Sequence, residues 1–183
     1  MASFGCLSKL SLLALLLFLT SPPAIANQES DGHTADNRLQ YLDYQLVGQA
    51  DIYWLWVKLY QAKLRTASGH YYGTPKSLSL ELIYARAFSR DELLKATLKE
   101  WQRQHIDYLP QWEAELRNIW PNISPDDHLL LFVDSRGHSY FYYNTVFIGA
   151  LENAAFAKAF TDIWLSENTQ KPSLRHQLIG YKP

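Results

Sequence analysis

Apolar and polar residues alternate along several short segments of this chain, and a period of two residues predicts β-strands. The clearest such strand spans residues 77–87. One face of it carries five residues, of which all but the last are apolar or aromatic: Leu78, Leu80, Leu82, Tyr84 and Arg86. This pattern is typical of a half-buried antiparallel strand, and Arg86 stands where another apolar residue would continue the series.

Residues 51–64 read DIYWLWVKLYQAKL, and their many Trp, Tyr, Val, Ile and Leu residues favour a β-strand. A shorter strand over residues 41–47 is predicted to precede it. Both faces of the 51–64 segment are apolar over its first half, so we expect one strand that is covered on both sides there. Asp51, Lys58 and Lys63 argue against a membrane span, because each charge is costly in hydrocarbon. The aromatic side chains then either fill the core or line a pocket for an apolar ligand.

Helices follow these strands. Ser89 and Glu92 form a capping box that opens a helix running to about Gln104. Pro110 opens a second helix, which ends at Pro121. Further strands are predicted over residues 128–134, 139–144 and 146–151, and further helices over residues 153–165 and 173–180. Because strands and helices are segregated along the chain, we predict an α+β fold with an antiparallel sheet backed by helices.

The first 26 residues have the layout of a secretory signal peptide. Lys9 precedes an apolar run over residues 10–19, and helix-breaking prolines and a small-x-small sequence ending at Ala26 follow it. The run is shorter than the roughly 20 residues that a transmembrane helix needs. We therefore expect cleavage after Ala26, no transmembrane segment in the mature chain and location in a bacterial periplasm. An uncleaved anchor and full secretion are the alternatives.

Residues 27–38 are polar and lack periodicity, which predicts a disordered leader. The single folded domain is then expected over residues 39–183.

Charge and motif content narrow the classes of function. The chain carries 17 basic and 18 acidic residues, a near-neutral balance that argues against nucleic-acid binding. Its six histidines show neither HxH nor HxxxH spacing, so we predict no metal site. The single cysteine, Cys6, lies in the predicted signal peptide, which leaves the mature chain without a thiol nucleophile. No GxSxG sequence supports a hydrolase, and no cofactor is predicted.

Four segments, which follow one another along the chain in the same order as in the family, resemble the chalcone isomerase-like family and in particular its bacterial exported branch. VKLYQAKL (57–64) resembles one of the family's strands, and LELIYARAFSRDELLKA (80–96) resembles a strand followed by a capped helix. NIWPNISPDDHLLLFVDSRG (118–137) and FIGALENAAFAKAFTDIWLSENTQKPSLRHQLIG (147–180) are similar to its later segments. The resemblance implies an open-faced β-sandwich, in which one curved antiparallel sheet is covered by a layer of helices.

The resemblance also implies a cleft between sheet and helices, which closes a chalcone into a flavanone without a cofactor in plant isomerases and binds fatty acids in other members. An arginine, a threonine, a tyrosine and an asparagine organise the plant cleft. Matched onto this chain, these positions fall at Ile52, Tyr60, Arg90 and Thr97. Without a guanidinium at Ile52, the main support for developing enolate charge is missing. We therefore predict no catalytic residue of the plant type.

The leading interpretation is an exported, non-catalytic protein of this family that binds a fatty acid or another small apolar or amphipathic ligand. Its candidate ligand-binding residues are Arg86, Tyr84 and Tyr60. The guanidinium of Arg86 either pairs with a carboxylate of the chain or receives a ligand carboxylate. One alternative is a cofactor-independent isomerase or intramolecular lyase with a different residue set, which needs a perturbed titratable group in the cleft. Another is an interaction protein that docks a partner through exposed aromatic residues.

Overall fold

A computed structural model describes residues 40–181. The predicted signal peptide and leader lie outside the described residues. A 3₁₀ helix at Gln40–Asp43 opens the described part. The strands are β1 (Gln45–Trp54), β2 (Val57–Thr66), β3 (Leu78–Tyr84), β4 (His128–Val133), β5 (Ser139–Tyr143) and β6 (Val146–Leu151). The α-helices are α1 (Arg90–Arg103), α2 (Pro110–Ile119), α3 (Ala154–Leu165) and α4 (Pro172–Leu178).

The strands pair in chain order, and each is antiparallel to its neighbours, so β1 and β6 form the two edges of the sheet. Helices α1 and α2 connect β3 to β4, whereas α3 and α4 follow β6, and α4 returns to pack against β1. The predicted α+β fold, an antiparallel sheet backed by helices, is confirmed. Among residues 40–181, no helix has both the length and the apolar character to cross a membrane.

The prediction of one covered strand over residues 51–64 is wrong. The chain reverses at Leu55 and Trp56, and Trp54 pairs with Val57 across the resulting hairpin. Leu55 has a φ of 55°, in a region that turns usually fill with Gly, Asn or Asp. A period of two residues does not reveal a turn that contains none of these. The predicted strand over residues 41–47 is correct only for residues 45–47, because a 3₁₀ helix covers Gln40–Asp43 and β1 continues through Gly48 to Trp54.

Other elements agree with the sequence. The Oγ atom of Ser89 accepts a hydrogen bond from the backbone N–H of Glu92 (3.2 Å), and the Glu92 carboxylate accepts one from the N–H of Ser89 (2.7 Å). This is the predicted capping box, and α1 begins at Arg90, one residue after Ser89. Strand β3 shows the predicted buried face at Leu78, Leu80, Leu82 and Tyr84. The strand ends at Tyr84, however, so Arg86 does not belong to it.

The main core lies between the sheet and the helices and is rich in aromatic side chains. Trp101 of α1, Trp112 of α2 and Phe156 of α3 pack edge to face, with ring centroids 5.5–6.2 Å apart. The indole N–H of Trp101 donates to the carbonyl oxygen of Ala159 at 2.8 Å, which ties α1 to α3 inside the core. These contacts hold α1, α2 and α3 together on one side of the sheet.

A smaller cluster covers the opposite face of the sheet and consists of Tyr41, Tyr44, Phe132, Tyr140 and Tyr142. The rings of Tyr41 and Tyr142 lie 4.8 Å apart. Tyr140 and Tyr142 therefore pack on this face of the sheet and take no part in the helix-side cavities described below.

Helix α4 approaches β1 very closely at Gly48. A Cβ atom on Gly48 would lie 2.0 Å from the backbone oxygen of Gln177 and 2.7 Å from that of Leu178. Only glycine permits this approach, which closes the helix layer over the edge of the sheet.

Candidate ligand-binding site

A cavity of about 260 Å³ lies between the sheet and the helices, and we call it the first cavity. Its sheet side is formed by Leu59, Tyr60, Leu82, Tyr84 and Leu129. Its helix side is formed by Leu93, Ala96, Thr97, Phe160, Ile163 and Trp164. Phe88, Glu92 and Trp120 complete the lining. The lining is mostly apolar, which is what a small-molecule site needs for an apolar ligand.

Glu92 is the charged residue of this lining, and its carboxylate is already occupied. It accepts hydrogen bonds from the backbone N–H and the hydroxyl of Ser89 at 2.7 and 2.8 Å. These bonds lower the pKa of Glu92 below its usual value, so it stays ionised while it caps the helix. The carboxylate therefore serves α1 and not the cavity.

A second cavity of about 190 Å³ adjoins the first, since both are lined by Tyr60, Ala96, Ile163 and Trp164. It is more polar, because Glu100 and Lys171 take part in its lining. The ammonium group of Lys171 donates to the carbonyl oxygen of Tyr53 at 2.6 Å. The second cavity thus offers a cation at its edge.

Tyr60 and Trp164 meet where the two cavities adjoin. The indole N–H of Trp164 donates to the hydroxyl of Tyr60 at 2.9 Å, so the proton of that hydroxyl remains available. The hydroxyl donates to no acceptor among residues 40–181. Burial raises the pKa of Tyr60 to about 12, so the phenol is neutral at physiological pH.

Tyr84 lies beside Tyr60, with ring centroids 5.5 Å apart, and is only 3 % exposed. Burial raises its pKa above the ordinary tyrosine value. Within the described residues its hydroxyl has no hydrogen-bond partner, although it lines the first cavity. Two neutral phenols therefore bring unused donors to an apolar cavity.

Arg86 lies outside the lining of both cavities. It follows the end of β3, is exposed, and holds its guanidinium carbon 5.1 Å from the ring centroid of Phe88. Phe88 itself lines the first cavity, which places Arg86 at the rim. Among the described ion pairs Arg86 has none, so the intramolecular pair considered as its alternative role is not formed.

The positions matched to the plant catalytic residues also gather here. Ile52 lines the second cavity, Thr97 lines the first and Tyr60 lines both. Arg90 does not reach either cavity, because its Nε donates to the carbonyl oxygen of Trp120 at 2.6 Å. Three of the four matched positions therefore line one or both cavities.

Sequence reasoning missed Trp164 and Lys171. The apolar spacing of α3 shows that Trp164 faces inward, but inward positions look the same whether they meet packed core or an open cavity. Lys171 precedes Pro172 at the start of a short helix and carries no motif. Its place at the second cavity depends on the return of α4 to β1.

The polar groups of this site, chiefly the hydroxyls of Tyr60 and Tyr84, can act on a ligand as hydrogen-bond donors. Because the pKa values of both phenols are raised, the hydroxyl groups stay protonated and do not serve as bases near neutral pH. In residues 40–181 no cluster of three or more His, Cys, Asp or Glu residues is placed to hold a metal ion. The cavities suit a ligand with an apolar body and an oxygen acceptor.

Comparisons with known proteins agree with this architecture. A family model described as chalcone isomerase-like matches residues 45–180. An uncharacterized protein of Haemophilus influenzae is 25 % identical over 142 residues, which cover 76 % of this chain and 70 % of that protein. The crystal structure of a fatty-acid binding protein of Arabidopsis thaliana superposes with a TM-score of 0.56 and 9 % identity, covering 75 % of this chain and 87 % of the other. At that identity the similarity shows a common fold.

Proposed function

This chain belongs to the chalcone isomerase-like family, and we propose that it is a non-catalytic member that binds a fatty acid or a similar amphipathic molecule between its sheet and its helices. The fold it shares with a plant fatty-acid binding protein supports the proposal. We also propose that it works in the periplasm, as the layout of residues 1–26 suggests.

The observation that carries the proposal is the hydroxyl of Tyr84. The Tyr84 side chain is only 3 % exposed and lines the apolar first cavity, and its hydroxyl has no hydrogen-bond partner among residues 40–181. A hydrogen bond from this hydroxyl to a ligand oxygen contributes about 0.5–1.5 kcal/mol. A pure hydrocarbon in the cavity would leave the hydroxyl without an acceptor. An amphipathic ligand therefore fits this site better than an apolar one.

The proposal assigns one part of the ligand to each part of the site. The hydrocarbon chain packs in the first cavity against Leu82, Leu129 and Phe160, and its oxygen head accepts hydrogen bonds from Tyr84 and Tyr60. At the rim, Arg86 attracts a carboxylate over a longer range. Because its guanidinium is exposed, this attraction is weak and is screened by salt.

The volumes set an expectation for chain length. Pockets for drug-sized ligands usually hold about 300–1,000 Å³, and each of the two cavities is smaller than that. A short or medium chain fits within the first cavity. A longer chain has to pass Tyr60 and Trp164 into the second cavity, which requires their hydrogen bond to open.

The alternative of a cofactor-independent isomerase or lyase receives no specific support from the titratable groups of the site. Tyr60 and Tyr84 have pKa values shifted away from neutrality, and Glu92 is engaged in the helix cap. A proton-transfer catalyst is expected to have a group whose pKa lies near the working pH.

Calorimetric titration with decanoate, palmitate and 1-decanol tests the proposal. We expect one saturable site that prefers decanoate, and about a fivefold lower affinity in Tyr84→Phe, since one hydrogen bond of about 1 kcal/mol is lost. Tyr72→Phe is the matched control, because Tyr72 is 77 % exposed and remote from the lining. Arg86→Gln is expected to weaken decanoate binding about twofold at low salt and to leave 1-decanol unaffected.

Failure of all three ligands to bind contradicts the proposed function. Binding that is equally strong in Tyr84→Phe contradicts the assignment of the head group to Tyr84. Cross-linking of a photoactivatable fatty acid then shows whether the ligand lies in the first cavity.

A further inference from the structure

The hairpin between β1 and β2 ends in five consecutive apolar residues that are exposed to solvent, and we call them the hairpin tip. Their exposed fractions are 44 % for Tyr53, 65 % for Trp54, 68 % for Leu55, 84 % for Trp56 and 40 % for Val57. An exposed run of this length is unfavourable in water and is normally avoided unless it serves a function.

The local backbone gives a second indication. Leu55 has a φ of 55°, which is strained for a branched apolar side chain and is ordinary for Gly or Asn. Asn or Gly at Leu55 and a polar residue at Trp56 would fold the same two-residue turn with less strain and better hydration. Apolar residues that break a local rule without improving the fold mark a functional element.

The size and shape of the tip favour a lipid bilayer over a protein as its partner. A stable protein interface takes roughly 800 Å² and 20–30 residues from each side, which a two-residue turn on an edge strand does not supply. A bilayer needs only a few inserted side chains. Trp and Tyr are enriched at the membrane interface, because their rings enter the apolar region while their polar atoms stay near the head groups.

The charges beside the tip agree with this partner. Lys58 lies 2.8 Å from Asp51 and forms an ion pair with it. Lys171 donates to the carbonyl oxygen of Tyr53 and forms none of the ion pairs described for residues 40–181. One cation that belongs to none of these ion pairs therefore stands behind the tip, where anionic head groups would lie.

From these observations we propose that the hairpin tip docks this protein on lipid bilayers by inserting Trp54, Leu55 and Trp56 into the interface. Lys171 then faces the head groups. Because Lys171 and Ile52 also line the second cavity, docking brings the edge of that cavity to the membrane surface. The proposal goes beyond ligand binding, and vesicle binding in the absence of any fatty acid tests it separately.

The test measures binding to vesicles of phosphatidylcholine, with and without phosphatidylglycerol, by co-sedimentation. The chain used begins at Asn27, because the apolar run of residues 10–19 would itself enter lipid. Every element and core contact described lies within residues 40–181, so this chain keeps all of them.

We expect Trp56→Ser to lower the vesicle partition coefficient about tenfold, since the burial of one large apolar side chain is worth about one decade in an equilibrium constant. Tyr72→Ser is the matched control, because Tyr72 is 77 % exposed and lies away from the tip, and it is expected to bind as the wild type does. Lys171→Gln is expected to weaken binding only to the vesicles that contain phosphatidylglycerol. Circular dichroism of each variant establishes that it is folded.

Three outcomes overturn the proposal. In the first, the wild type binds neither kind of vesicle. In the second, Trp56→Ser and Tyr72→Ser reduce binding equally, which shows that vesicle binding depends on general surface hydrophobicity and not on the tip. In the third, the wild type does not bind vesicles, and sedimentation velocity shows that it forms a dimer which Trp56→Ser abolishes. The tip would then be a contact between two copies of the protein. Brominated phosphatidylcholine that quenches tryptophan fluorescence more strongly in the wild type than in Trp56→Phe supports insertion of the tip.

Discussion

The indole N–H of Trp164 donates a 2.9 Å hydrogen bond to the hydroxyl of Tyr60, across 104 residues of sequence. This bond joins α3 to β2 at the position where the two cavities adjoin. The Trp164 ring also packs against Phe160, with centroids 5.5 Å apart. The pair therefore links the packing of the helix layer to the shape of the site, and its properties can be measured in the free protein.

We expect Tyr60→Phe to lower the free energy of unfolding by about 1–2 kcal/mol, because the nearly buried indole N–H of Trp164 loses its acceptor. Trp164→Phe is expected to cost more, since it also loses contact area. Urea unfolding of both variants and of the double variant gives the coupling energy, which we expect to be about 1 kcal/mol. Tyr72→Phe serves as the exposed control. A coupling energy indistinguishable from zero would mean that the hydrogen bond contributes nothing to stability.

Alkaline pH provides an independent measure of the burial of Tyr60. Its pKa is about 12 in the folded state, against about 10 for an unfolded chain. Below pH 10 both states keep the proton and stability is unaffected. Between pH 10 and 12 only the unfolded state ionises, so the free energy of unfolding falls as pH rises.

We therefore expect Tyr60→Phe to flatten the decline of stability across this window, as measured by urea unfolding at successive pH values. Tyr84→Phe is expected to have the same effect, because burial raises the pKa of Tyr84 in the same direction. Tyr72→Phe should leave the slope unchanged. Equal slopes in all four proteins would show that neither buried phenol resists ionisation.

Local signals in the sequence predict much of this fold. Ser89 and Glu92 identify the start of α1, because the capping box needs only residues that are three apart. The alternation in β3 identifies its buried face, since period two needs only a covered sheet. The turn at Leu55 escapes prediction because it has no Gly, Asn or Asp. Arg86 is misplaced because alternation does not show where a strand ends.

The site is predictable only in part. Tyr60 and Tyr84 follow from the family resemblance and from strand alternation, and both line the first cavity. Trp164 and Lys171 reach the cavities through contacts with residues about 100 positions away, which no local pattern encodes. Likewise, the unpaired state of the Tyr84 hydroxyl depends on all the elements around it. Sequence identifies inward-facing residues, and packing decides which of them meet a cavity.

The close approach of α4 to β1 predicts that Gly48→Ala is strongly destabilising. The added Cβ would overlap backbone oxygens of α4, which cannot rotate away as a side chain does. We expect a loss of about 3 kcal/mol or more in the free energy of unfolding, at the upper end of overpacking effects. Gly73→Ala is the control, because Gly73 has a φ of 79° but no atom within 4 Å of the added Cβ. That backbone strain alone costs about 1–2 kcal/mol.

Thermal or urea unfolding of both glycine variants separates contact from strain. If Gly48→Ala costs no more than Gly73→Ala, then α4 moves away from β1 at little cost. In that case the closure of the helix layer over the second cavity would be loose.

The position of Ala96 predicts that ligand access can be blocked without damage to the core. Ala96 lines both cavities and is exposed, so a larger side chain there extends across the opening and leaves the buried residues in place. We expect Ala96→Phe to lower the affinity for decanoate at least about tenfold, through loss of the contacts of several methylene groups. The free energy of unfolding should change by no more than about 0.5 kcal/mol, as is usual for surface substitutions. Lys95→Phe is the matched control, because Lys95 is exposed on the same helix and lines neither cavity. Decanoate binding that survives Ala96→Phe unchanged would place the ligand elsewhere on the protein.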